Sequence, residues 1–156
     1  MITRSLKPTI IESIFMLRKN SGRPEKPKVW VEAYGCSASM ADSEMISGLL
    51  KASGYEFASS QNEGALSIIV TCGVKDTTEH RMLSRIKSLS KSGKPLVVAG
   101  CLPKADTARI EAINPNASMI GPHSIDRVVD VTKSMFSGKK LVVLEDSATD
   151  KVNITR

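Results

Sequence analysis

From residue 28 onward, short apolar runs typical of strands alternate with segments in which apolar residues recur at helical spacing. The run Leu66–Thr71 is apolar and rich in β-branched residues, as expected of a strand buried on both faces of a sheet. A helix is predicted after the first, third, fourth and fifth of six predicted strands. The strands are Val29–Tyr34, Tyr55–Ala58, Leu66–Thr71, Pro95–Ala99, Ala117–Ile120 and Leu141–Leu144. This alternation limits the fold more than any other feature, because strands joined through helices run parallel.

The predicted architecture is a three-layer α/β fold of the flavodoxin-like or Rossmann-like kind. Its sheet is mostly parallel, has five to six strands and is flanked by helices on both faces. We expect the strand order 2-1-3-4-5, in which the first, third and fourth strands are neighbours. The carboxyl ends of such strands share one edge of the sheet, and ligands bind at that edge.

Charge divides the chain into unequal parts. The net charge is +6, and residues 1–28 alone contribute +5, from seven basic and two acidic side chains. We therefore predict a basic extension over residues 1–27, an α/β domain over 28–146 and a polar linker over 147–156. The extension is interpreted as a docking arm or a solvated tail that could help to attract a polyanion such as RNA. Glu12 and Glu25 count against a mitochondrial presequence.

Composition excludes several classes of protein. With 24% charged and 41% hydrophobic residues, the 156-residue chain has the balance of a folded domain. No apolar run approaches the roughly 18 residues that a membrane span needs, so no membrane association is expected. The odd number of cysteines, three, disfavours a secreted disulfide scaffold and favours a cytoplasmic location.

Each cysteine follows a predicted strand and stands next to a glycine. The pairs are Cys36 with Gly35, Cys72 with Gly73, and Cys101 with Gly100. In the expected strand order, at about 4.8 Å between strands, the three thiols lie within about 10 Å of one another. Glycine permits tight turns and the close approach of a bulky ligand, and converging thiolates suit a soft metal. The pattern predicts a shared metal or cluster site, with the three glycines as backbone contacts of the cofactor.

Several alternatives stay open from the residues alone. Zinc needs a fourth ligand, and His123 stands at the carboxyl end of the fifth predicted strand, on the same edge. An iron–sulfur cluster on three cysteines leaves one iron open, which suits catalysis. The domain could instead be a non-catalytic metal-binding or nucleotide-binding module, or an interaction domain whose cysteines fill the core. The sequence contains no G-x-G-x-x-G, Walker A, H-E-x-x-H or Cys-x-x-Cys motif.

Three motifs surround these cysteines. The first is Tyr-Gly-Cys at 34–36 followed by Ala-Asp-Ser-Glu at 41–44, and the second is Thr-Cys-Gly-Val-Lys at 71–75 followed by Glu79. The third is Val-Val-Ala-Gly-Cys-Leu-Pro-Lys at 97–104. In order and spacing, from about residue 28 to 146, they resemble the signatures of the radical-SAM methylthiotransferases. The last two look most like the archaeal and eukaryotic branch, which modifies N6-threonylcarbamoyladenosine beside the tRNA anticodon.

The resemblance implies an N-terminal α/β domain in which Cys36, Cys72 and Cys101 ligate an auxiliary 4Fe–4S cluster. In the full-length enzyme, a radical-SAM domain holds a second 4Fe–4S cluster and cleaves S-adenosylmethionine, and a TRAM domain binds tRNA. Together these domains insert sulfur at C2 of the adenosine and methylate it. The resemblance assigns no catalytic and no substrate-binding residue within this chain.

The chain departs from the family pattern in two positions and in its extent. Ser39, which is also the predicted N-cap of the first helix, stands where the family usually has Asn, and Val70 stands where Asn is common. These changes are expected to alter polar contacts while leaving the three ligands intact. The sequence has neither a radical-SAM motif nor a TRAM domain. We therefore expect an isolated, catalytically incomplete N-terminal domain, with a natural standalone chain as the alternative.

Overall fold

Five parallel strands form a single sheet in which each strand pairs with the next one along the chain. The computed structural model describes residues 27–72 and 76–144, without the side chains of residues 76 and 77. Within these ranges the strands are β1 (Val29–Ala33), β2 (Leu66–Thr71), β3 (Leu96–Gly100), β4 (Ser118–Ile120) and β5 (Val142–Val143). The predicted α/β fold is therefore confirmed, with a sheet that is parallel throughout.

The prediction of a second strand over Tyr55–Ala58 is wrong in the extent of the strand. Phe57 forms only an isolated parallel bridge to Val29. The chain then turns away, because the N–H of Ser59 donates to the Glu63 carboxylate at 3.1 Å. The bridge lies on the side of β1 that faces away from β2. Counted in the numbering of the six predicted strands, the order 2-1-3-4-5 is therefore confirmed, with the second predicted strand reduced to one residue.

Helices cover both faces of the sheet. Helices α1 (Ser37–Ala52) and α5 (Val128–Phe136) pack on one face, and α2 (Asp76–Ser90) and α4 (Thr107–Ile113) pack on the other. A short helix, α3 (Cys101–Ala105), continues directly from β3. This arrangement is the predicted three-layer architecture.

The segment after β3 contains two helices where one is predicted. The break falls at Asp106, whose carboxylate accepts a hydrogen bond from the N–H of Arg109 at 3.1 Å and so caps α4. An acidic N-cap satisfies a free N–H in the first turn, which favours a new helix start at this point.

The core consists of two apolar layers, one on each side of the sheet. Every residue of β2 is buried. Ile68 and Val70 pack into the layer beneath α1 and α5, whereas Ile69 packs into the layer beneath α2 and α4. The central position of β2 explains its continuous apolar sequence, because both of its faces are covered.

The predicted extension and linker lie outside the described residues, apart from Pro27. Among the described helices, none combines the length and apolar character that crossing a bilayer requires.

Candidate metal centre

Cys36 and Cys72 lie side by side at the carboxyl edge of the sheet. Their sulfur atoms are 3.6 Å apart although the residues are 36 positions apart in the chain. Pairing of β1 with β2 aligns Ala33 with Val70, and the N–H of Tyr34 donates to the Val70 carbonyl at 2.9 Å. The two strands therefore end level with each other. Cys36 is exposed and Cys72 is buried.

Gly35 makes the turn that brings the two thiols together. Its φ is +114°, a conformation that residues with side chains rarely adopt. A Cβ at this position would lie 2.3 Å from the Cβ of Cys72. Glycine is therefore required here by both backbone conformation and space.

The end of β2 is held from two sides. The N–H of Cys72 donates to the sulfur of Met82 in α2 at 3.2 Å. The hydroxyl of Thr71 donates to the carbonyl of Ala99 in β3 at 2.8 Å. These contacts hold the backbone that carries the Cys72 thiol.

Cys101 begins α3 at the end of the neighbouring strand. Thr71 pairs with Gly100, so Cys72 and Cys101 follow directly paired residues of β2 and β3. Gly100 has a φ of +103°, and a Cβ there would lie 2.2 Å from the Thr71 carbonyl oxygen. Cys101 is partly exposed, and none of the three cysteines forms a disulfide.

The surroundings of Cys36 lower the pKa of its thiol. A hydrogen bond from the backbone of Ser39 lowers the pKa of Cys36 to about 7, with further contributions from the Cys72 thiol and the Ser39 hydroxyl. The Ser39 hydroxyl lies 3.8 Å from the sulfur. Because these groups donate to the thiolate, the charged form is favoured.

Ser39 has a different place from the one predicted. Helix α1 begins at Ser37 with Cys36 as its N-cap, so Ser39 lies within the first turn and is buried. The prediction of Ser39 as N-cap is therefore wrong. Its spacing of three residues from Cys36 is a signal that could have been used, because residues i and i+3 share a helix face. Met82 gives no comparable signal, since its contact depends on how α2 packs.

The remaining predicted residues differ in how far the structure describes them. Gly73 lies outside the described residues. His123 is exposed after β4. Among the described side chains, no three His, Cys, Asp or Glu residues form a group that could hold a metal ion. The structure thus brings the sulfur atoms of Cys36 and Cys72 together, and Cys101 lies at the end of the adjacent strand.

The paired thiols of Cys36 and Cys72, with Cys101 after the adjacent strand end, have the chemistry of ligands for a metal or cluster. Thiolates are preferred ligands of soft metals and of iron–sulfur centres. Backbone hydrogen bonds favour the anion of Cys36, and glycines keep the space beside Cys72 and Thr71 free of further side chains.

The sequence of this chain matches a protein family and several curated proteins. The model of the uncharacterized protein family UPF0004 matches residues 28–121, which include all three cysteines. Over 120 residues the chain is 36% identical to the probable threonylcarbamoyladenosine tRNA methylthiotransferase of Pyrococcus abyssi, covering 76% of this chain and 28% of that protein. The threonylcarbamoyladenosine tRNA methylthiotransferase of Drosophila melanogaster is 35% identical over 139 residues, covering 89% of this chain and 23% of that protein.

A shorter match is closer in sequence. The probable threonylcarbamoyladenosine tRNA methylthiotransferase of Methanocaldococcus jannaschii is 49% identical over 78 residues, covering 50% of this chain and 18% of that protein. The chain thus spans less than a third of the length of each of these curated relatives.

Proposed function

Because this chain belongs to the uncharacterized protein family UPF0004, we propose that it is the N-terminal, cluster-binding domain of a tRNA methylthiotransferase. The proposed reaction is methylthiolation of C2 of N6-threonylcarbamoyladenosine next to the anticodon. The names of the archaeal and insect relatives support this substrate. Since the chain spans only 28% and 23% of those proteins, the reaction is assigned to a longer enzyme, and this domain alone is expected to be inactive.

The observation that supports the proposal best is the 3.6 Å approach of the Cys36 and Cys72 sulfurs at the sheet edge. Cys101 follows the paired end of the adjacent strand. In the proposal, the thiolates of these three residues hold an auxiliary 4Fe–4S cluster, and Gly35, Gly73 and Gly100 let the backbone approach it. When bound, such a cluster supplies an iron with an open position for a sulfur atom.

The chain's own residues prepare this edge for an anionic ligand set. The N–H of Ser39 stabilises negative charge on the Cys36 sulfur, so that little free energy is needed to deprotonate it near neutral pH. Cys72 is buried, and its backbone is held by Met82. Burial of one ligand limits access of water to that side of the site.

The remaining components of the proposed enzyme lie in other domains. A radical-SAM domain would bind the second 4Fe–4S cluster and S-adenosylmethionine, and a TRAM domain would bind tRNA. We propose a cytoplasmic location, in keeping with the reduced thiols that the ligand set requires.

The proposal is tested by anaerobic reconstitution of the full 156-residue chain with ferrous iron and sulfide. Iron and sulfide content and a visible spectrum are measured afterwards. We expect about four irons and four sulfides per chain. The single variants C36A, C72A and C101A should lose most of the bound iron. The control variant H123A changes an exposed residue after β4 and should load like the parent chain.

Two outcomes would contradict the proposal. Absence of iron uptake by the parent chain with reduced thiols would exclude an autonomous cluster domain. Preferential binding of zinc that is lost in H123A would favour the non-catalytic metal-binding alternative, because zinc takes a fourth nitrogen or sulfur ligand.

A further inference from the structure

An open groove lies between the end of β1 and helix α2. It has a volume of about 370 Å³ and is lined by Tyr34, Arg81, Ser84, Arg85 and Ser88. Two of its lining residues stand close in sequence to residues of the cysteine edge. Tyr34 lies two residues before Cys36, and Arg81 precedes Met82, whose sulfur contacts the backbone of Cys72.

The spacing of these residues places them on one face of α2. Positions 81, 84, 85 and 88 follow the i, i+3, i+4, i+7 pattern of a single helical stripe. The opposite stripe is apolar, and its members Met82, Ile86 and Leu89 are buried in the core. Packing therefore directs Arg81, Ser84 and Ser88 outward, and all three are exposed.

One of the two guanidinium groups of the groove, that of Arg85, is already paired with a carboxylate of β1. Glu32 accepts two hydrogen bonds from the Arg85 guanidinium, at 2.7 and 2.9 Å, and a third from the indole N–H of Trp30 at 3.0 Å. The Glu32 side chain is only 12% exposed. Arg85 also donates to the side-chain oxygen of Gln61 at 2.8 Å. Arg85 is thereby held in place, and its charge is balanced.

Arg81 supplies the unbalanced charge of the groove. Within the described residues, no ion pair joins Arg81 to a carboxylate. The neighbouring acidic residue of α2, Glu79, pairs instead with Arg109 on α4. The groove thus carries a net positive charge, with the hydroxyls of Tyr34, Ser84 and Ser88 as additional hydrogen-bond donors.

The lining offers three hydroxyls and one guanidinium that forms no ion pair among the described side chains, which matches the oxygens of a phosphodiester. Protein contacts to nucleic-acid phosphates come mainly from Arg and Lys together with Ser, Thr and Tyr side chains. Only one aromatic ring lines the groove, so stacking of successive bases is not its chemistry. The groove suits backbone contacts that position a strand without reading its sequence.

We infer that this groove binds the phosphodiester backbone of an RNA and positions that RNA beside the cysteine edge. The identity of the RNA as the substrate rests on the proposed function, whereas the phosphate contacts rest on the lining residues. Arg81 is the positioning residue that contributes most, because its charge is not shared with another side chain of the described chain.

The test measures binding of a fluorescein-labelled RNA hairpin of anticodon-arm sequence to the full, metal-free chain by fluorescence anisotropy over a range of salt. The variant R81E is compared with K133E, which makes the same charge change at an exposed position of α5 on the opposite face. We expect R81E to weaken binding about tenfold and to reduce the slope of log K against log salt by about 1. K133E should change the affinity less than twofold.

Equal losses in R81E and K133E, or no binding by the parent chain at low salt, would overturn the inference. Circular dichroism of both variants checks that they are folded, and Y34F provides a second test that leaves the charge unchanged. Iron uptake separates this inference from the proposed function. A chain that loads iron but binds RNA equally in both variants refutes the groove alone. A chain that loads no iron but depends on Arg81 for RNA binding refutes the cluster alone.

Discussion

At the scale of single residues, Cys36 combines exposure with a stabilised anion. The backbone of Ser39 is the largest cause of its lowered pKa, followed by the Cys72 thiol and the Ser39 hydroxyl. An exposed thiol at the start of a helix is the environment in which cysteines become reactive. The same hydrogen-bond donors that would favour metal binding also favour the thiolate of Cys36. The pKa of this thiol can therefore be measured through its rate of alkylation.

We expect alkylation of Cys36 by iodoacetamide to rise with pH and to be half-maximal near the pKa of about 7. Only the thiolate reacts, so the rate falls as the thiol becomes protonated below that pH. S39A should move the midpoint upward by removing the hydroxyl contact, and C72A should move it further, because the Cys72 thiol contributes more. Peptide-resolved mass spectrometry separates the three cysteines.

In this experiment buried Cys72 is the internal control and should react slowly. A midpoint for Cys36 near the ordinary value of about 8.5 would contradict the assigned hydrogen bonds.

At the scale of elements, the junction between β3 and α3 depends on Gly100. Its φ of 103° and ψ of −148° lie in a region that only glycine occupies without strain. The closeness of the Thr71 carbonyl leaves no room for a side chain. This junction keeps the end of β2 next to the start of α3, where Cys101 lies.

G100A is expected to reduce the free energy of unfolding by about 3 kcal/mol, because it combines backbone strain with displacement of β2. G93A is the matched control. Gly93 also has a positive φ, +70°, but a Cβ there meets nothing within 4 Å, so a cost of about 1 kcal/mol is expected. Urea denaturation of both variants measures the difference. Equal costs would mean that the contact with Thr71 is relieved by small backbone shifts.

At the scale of the whole molecule, the proposed ligands come from three separate connections, which follow β1, β2 and β3. A group bound by all three would link parts of the chain that are distant in sequence. A ligand that binds the folded state and not the unfolded state raises stability according to its affinity.

Loading with iron and sulfide should therefore raise the Tm of the chain by roughly 10 °C if the cluster is present at about 1,000 times its Kd. Removal of the metal by a chelator should return the Tm to its starting value. C101A should show little of this increase, and H123A should show all of it. An unchanged Tm in a chain with bound iron would indicate that the metal does not link the three connections.

The sequence by itself determined the layered parallel fold and the edge at which the cysteines lie. Apolar runs such as that of β2, which is buried at every residue, can be recognised from short-range sequence patterns without knowledge of packing. The position of a cysteine directly after a strand is also local information. In a parallel sheet that position implies the carboxyl edge.

Only the tertiary structure decided which side chains meet. The 3.6 Å contact of Cys36 with Cys72 depends on strand register and on the turn at Gly35. The pairing of Arg85 with Glu32 joins residues 53 positions apart. Ser39 is a buried neighbour of Cys36 because α1 starts three residues earlier than predicted. The predicted strand at Tyr55–Ala58 forms only one bridge, because the following turn directs the chain away from β1. Periodicity in sequence reports which face of an element is apolar, whereas contacts between elements follow from register and packing, which local patterns do not encode.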